Sequence, residues 1–94
     1  MRAAMITALE GPDAIEVREL PDPTPKKGQV RIRVAAAGVN FPDLLMSRGL
    51  YQLRPPLPFA PGGEVAGEID AVGEGVTGFA EGDRVLALNF FGGF

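Results

Sequence analysis

At 94 residues and 46% hydrophobic content, the chain is one domain or part of one, and too apolar to be disordered. Its net charge of −3, with only Lys26 and Lys27 adjacent among the cations, excludes the basic stripe of a nucleic-acid surface, and no apolar run is long enough to span a membrane. It has no cysteine and no histidine, which excludes disulfides, thiol or imidazole catalysis and the usual zinc sites, and makes a cytoplasmic location the default.

Arg2 to Leu9 reads as a first strand, ended by the turn signal Glu10-Gly11-Pro12-Asp13. One positive charge and a short apolar run without a convincing cleavage pattern suit that strand better than a signal peptide. Ile15, Val17 and Leu20 among Glu16, Arg18 and Glu19 predict a second, half-exposed strand. "PDPTPKKG", Pro21 to Gly28, is too proline-rich for helix or strand and predicts an extended loop closing in a turn. Val30, Ile32 and Val34 then alternate with Gln29, Arg31 and Arg33, which predicts a strand with one apolar face and one cationic, solvated face.

Gly38 ends that strand, and a short helix is expected from Asn40 to Arg48. Asn40 suits the N-cap, Pro42 the first turn, Asp43 the positive end of the helix dipole and Gly49 the stop. Leu50 to Gly63 holds four prolines and predicts a long, stiff, irregular loop, a kind often kept for function. Glu64 to Val72 is a strand in which Gly67 marks a bulge or a close backbone approach, and Arg84 to Leu88 is the next strand.

Between them, Gly73-Glu74-Gly75-Val76-Thr77-Gly78 spells G-x-G-x-x-G. A dinucleotide fingerprint needs a helix opening there, and Phe79 to Asp83 is too short and glycine-broken for one. Turns are expected instead. The chain ends on "NFFGGF", apolar and in mid-pattern, so residues 1–94 are expected to be an N-terminal domain cut near its C-terminal end.

Three segments, taken in order, resemble a known family. They are "AAAGVNFPDLLMSRGLY" (Ala35 to Tyr51), "LPFAPGGEVAGEIDAVGEGV" (Leu57 to Val76) and "GDRV" (Gly82 to Val85). They resemble the N-terminal, GroES-like catalytic domain of the medium-chain dehydrogenase/reductase superfamily, in its zinc-independent quinone oxidoreductase (zeta-crystallin-like) branch. The resemblance implies a mainly β fold, a partly open barrel with one short helix, whose Rossmann partner domain is absent from this chain. It further implies NADPH, bound mostly by that absent domain, as hydride donor to a small-molecule quinone or enone, and a homodimeric full-length protein. Zinc-dependent relatives place a cysteine and a histidine where this chain has Asn40 and Gly63, so no zinc is expected.

By the same resemblance Asn40 is a catalytic residue facing nicotinamide and substrate, while the residue itself reads as an N-cap; one side chain can do both. Tyr51 corresponds to a pocket residue able to donate to a quinone oxygen or stack on its ring, and packing on Pro55 or Pro56 is its structural alternative. Phe41 and Leu45 fall at apolar pocket positions, Phe41 also beside the cofactor, and both equally suit a core. Asp43 is expected to serve the first helical turn rather than proton transfer. Glu64 is expected in an ion pair with Arg84 or another arginine. Two further readings stay open: a non-enzymatic, crystallin-type binding or structural protein on the same fold, and an enoyl-thioester reductase module.

Overall fold

Proline and glycine cut the chain into short pieces, and the computed structural model describes all 94 residues as five strands, one α-helix and the loops between. Strands β1 (Arg2–Ile6) and β2 (Ile15–Glu19) pair antiparallel, with Arg2 opposite Glu19 and Ile6 opposite Ile15. A single 3-10 turn at Pro12–Ala14 joins them, where the turn signal stood. Strands β3 (Val30–Ala37), β4 (Glu64–Val72) and β5 (Arg84–Leu88) form an antiparallel sheet in the order β3-β4-β5. Neither sheet closes on itself, giving the open, mainly β architecture. Helix α1 (Phe41–Ser47) lies between β3 and the proline loop in sequence.

β1 stops at Ile6, short of the expected Leu9. There the strand, still paired with Ile15 of β2, also meets the proline loop: Ile6 N–H donates to the Phe59 carbonyl (2.7 Å) and Phe59 N–H to the Ile6 carbonyl (3.2 Å). This exchange brings together the small core of Ile6, Met46 and Phe59, with Ile15, Tyr51 and Leu53 packed against it. The long loop is therefore anchored at its far end by a buried aromatic. Burying such a ring contributes on the order of 2–3 kcal/mol. β5 is an edge strand and leaves Leu86 and Leu88 in solvent, 85% and 86% exposed, so the order around the helix rests on the β1–Phe59 cluster and not on β5.

The β3–β4 register shifts twice, between Arg31 and Ile32 and between Val34 and Ala36. Gly67 sits opposite Val34 beside the second shift, and a Cβ there would overlap the Arg33 carbonyl oxygen. The expected close approach is present. Because the obstacle is backbone, Gly67→Ala is expected to lower stability by about 1–3 kcal/mol, read as a fall in the melting temperature of the full-length protein. A variant melting with the parent would show that the strands separate there at no cost.

The cationic side of β3 is solvated at Arg33 but not at Arg31. Arg31 is half-buried: its Nε donates to Asp70 (2.8 Å) and a terminal nitrogen to the Pro23 carbonyl (3.2 Å). The hydrogen bond to Asp70 pushes the guanidinium pKa above its ordinary value, so Arg31 stays cationic. It ties the "PDPTP" loop to β4. Conversely, Val34 on the expected apolar face is 45% exposed, because neither sheet covers it. The G-x-G-x-x-G stretch forms turns with Gly75 and Gly78 at φ +79° and +85°, and no helix intervenes before β5.

Candidate functional site

Everything around the helix start depends on Asp43. It is buried, and its two carboxylate oxygens are both occupied: one accepts the Asn40 N–H (2.8 Å), the other the Gly62 N–H (3.0 Å). The first bond satisfies an orphan donor of the helix N-terminus, and the second fastens that end to the glycine pair closing the proline loop. Asn40 has the extended backbone of an N-cap, at φ −130° and ψ 165°, and the residues of a capping box are in place. In that box the Asn40 side chain faces the Asp43 N–H, as expected of the cap, while the stronger bond is the one Asp43 accepts from the Asn40 N–H. The Asp43 N–H also donates to the Asn40 carbonyl (3.0 Å). The Asn40 NH₂ donates to no group of the chain and lies at the cleft.

A cleft of about 190 Å³ opens beside this helix start, bounded by Asn40, Asp43, Tyr51, Gly63, Glu64 and Asn89. The fold thus brings Asn40 and Tyr51 together from either end of α1. Tyr51 rests against the Ile6–Met46–Phe59 cluster, which holds its ring at the cleft wall. Phe41 and Leu45 do not line this cleft: Phe41 is 68% exposed at the first helical position, and Leu45 is half-buried. At this size the cleft accepts a single ring or a carbonyl end, well below the several hundred Å³ of a whole-ligand pocket.

Glu64 opens β4 at the cleft mouth and is exposed. It forms no ion pair, contrary to expectation. In the β4–β5 register Arg84 stands opposite Glu68 while Glu64 stands opposite Leu88, so Arg84 lies four strand residues away, about 13 Å. Instead the Glu64 carboxylate folds over Gly38, where a Cβ would overlap it. Asn89 was not singled out in the sequence. Its N–H donates to the Gly63 carbonyl (2.7 Å), drawing the end of β5 against the cleft. The only local signal was a polar residue interrupting the apolar run from Leu86 to Phe91.

No cation lines the cleft, so its hydrogen-bond donors are neutral: the carboxamides of Asn40 and Asn89 and the Tyr51 hydroxyl. A larger hollow of about 970 Å³ lies between the two sheets. Its lining carries Arg2, Asp22, Arg31, Arg33 and Asp70, of which only Arg2 forms no ion pair, and the smaller cleft is the one that gathers Asn40, Tyr51 and Glu64.

Residues 26–93 match the alcohol dehydrogenase GroES-like domain. The chain belongs to that family. Within the medium-chain dehydrogenase/reductase superfamily, this GroES-like domain is 46% identical over 91 residues to the synaptic vesicle membrane protein VAT-1 homolog of Rattus norvegicus, covering 95% of this chain and 22% of that protein. It is 52% identical over 73 residues to acryloyl-coenzyme A reductase of Metallosphaera sedula, covering 78% of this chain and 22% of the relative. Among solved structures, the Escherichia coli quinone oxidoreductase complexed with NADPH superposes with a TM-score of 0.91 at 32% identity, over 99% of this chain and 28% of that one. The chain therefore spans between a fifth and a third of the length of these proteins.

Zinc does not fit this GroES-like domain at the helix start. Gly63 offers no side-chain ligand, Asn40 only an amide oxygen, and both Asp43 oxygens are occupied by backbone donors. The exposed Phe41 ring offers an apolar surface beside the Asn40 carboxamide.

Proposed function

We propose that this domain is the substrate-side part of a zinc-independent, NADPH-dependent reductase of quinones or carbonyl-conjugated C=C bonds. The observation that carries the reading is the cleft between Asn40 and Tyr51. It presents neutral hydrogen-bond donors and no zinc-type ligand set, on a fold shared with an NADPH-complexed quinone oxidoreductase. NADPH supplies the hydride when bound. The acceptor's own conjugated carbonyl spreads the developing charge, and Asn40 and Tyr51 hold the oxygen on which it collects. Donors aimed at such an oxygen stabilise the transition state more than the ground state. Asn40 and Phe41 contact the nicotinamide side. Glu64 at the mouth disfavours anionic acceptors and so favours neutral ones.

The relative named acryloyl-coenzyme A reductase favours a second form of this reading, in which the conjugated carbonyl belongs to an enoyl thioester. The chemistry at the oxygen is the same. The test is NADPH oxidation by the full-length protein against quinones, enones and enoyl thioesters, beside the 94 residues alone. Turnover of at least one class is expected from the full-length protein, without stoichiometric zinc after dialysis. None is expected from the isolated domain, because the Rossmann half that positions the hydride donor is missing. Silence against all three classes, or about one zinc per chain, overturns the proposal.

A further inference from the structure

We infer that Asn89 is a specificity-determining residue of this cleft, its carboxamide N–H donating to the second carbonyl oxygen of a quinone. The inference rests on the reductase reading above. Three observations lead to it. Asn89 lines the cleft with Asn40 and Tyr51 but comes from a different part of the chain, just after β5. Its backbone is fixed there by the 2.7 Å bond from its N–H to the Gly63 carbonyl. Its side-chain oxygen is already used, accepting the Phe90 N–H at 3.0 Å.

That last bond sets the orientation of the amide. With the oxygen turned to its own backbone, the NH₂ group is left without an acceptor in the chain, although the Glu64 carboxylate lines the same cleft. A free donor held at both backbone and side-chain oxygen is available to a ligand. One carbonyl oxygen has two lone pairs, which Asn40 and Tyr51 fill. A third donor is then useful to an acceptor with a second oxygen across its ring, which a quinone has and a simple enone or thioester lacks. Hydrogen bonds that a site is built to make are the ones whose loss discriminates between substrates.

The experiment uses the full-length protein and two variants, with a para-quinone and a mono-carbonyl enone as probes. Asn89→Asp keeps an oxygen for the Phe90 N–H and exchanges the donor for an acceptor; Asn89→Ala removes both. In each variant, kcat/KM for the quinone is expected to fall about tenfold, the loss of one hydrogen bond, and to fall less for the enone. The quinone-to-enone ratio therefore drops, with KM for NADPH unmoved. Variants that keep the parent ratio overturn the inference, including an Asn89→Ala that merely melts earlier, since Asn89 is then only a turn residue. A parent enzyme active on enoyl thioesters alone overturns it while leaving the reductase reading standing. A parent silent toward every class overturns both.

Discussion

Replacing Asp43 by alanine should destabilise the protein by about 2–4 kcal/mol, because it strands one buried and one half-buried backbone donor at once. The carboxylate accepts from Asn40 at 2.8 Å and from Gly62 at 3.0 Å, and no other side chain reaches either N–H. Each orphaned donor costs about 1–3 kcal/mol when water cannot replace its partner. Asp43→Asn is the sharper variant. Its single carbonyl oxygen can serve one N–H, while its NH₂ must face the other, so an intermediate loss is expected. Asn40→Ala is the contrast: it removes only the Asn40 half of the capping box, so the change should cost about 0.5–2 kcal/mol. Urea denaturation of the full-length protein measures all three. Equal midpoints for Asp43→Ala and the parent would mean that the Asp43 clamp does not hold the helix to the loop.

Asn40→Asp should cut turnover about tenfold or more while moving stability by less than about 1 kcal/mol. The carboxamide of Asn40 becomes a carboxylate beside an oxygen that turns negative as hydride arrives. Asp43 and Glu64 already bring two carboxylates to the same cleft, and no cation lines it, so the added repulsion is not neutralised there. Tyr51 separates ring from hydroxyl. Tyr51→Phe keeps the packing on Ile6, Met46 and Phe59, and should raise KM mildly if stacking dominates. Tyr51→Ala should raise KM clearly and also cost about 2–4 kcal/mol, since the ring supports the core. Steady-state kinetics beside thermal melts resolve the two effects. An Asn40→Asp enzyme that melts early yet turns over normally would make Asn40 a structural residue and remove it from the site.

The punctuation of the chain was legible without any structure. β4 runs from Glu64 to Val72 and β5 from Arg84 to Leu88, as read, because glycine turns and period-2 alternation act within a few residues. The helix between Asn40 and Gly49 and the turns at Gly75 and Gly78 were legible for the same reason, as was the lack of cysteine and histidine ligands.

What the tertiary structure decided was which of these local pieces meet. Ile6, the last residue of β1, meets Phe59 from the far side of the proline loop as well as Ile15 of β2. Asp43 looked like a helix-dipole residue, and its second oxygen is claimed by Gly62, which no helical pattern specifies. Glu64 lacks an arginine because the β4–β5 register sets Arg84 opposite Glu68, and Asn89 reaches the cleft because that register ends at Gly63. Register depends on bulges and long-range backbone pairing, where one residue of slip exchanges the faces of a strand. Propensity and spacing carry no information on that scale, so the elements could be read from the sequence and the cleft could not.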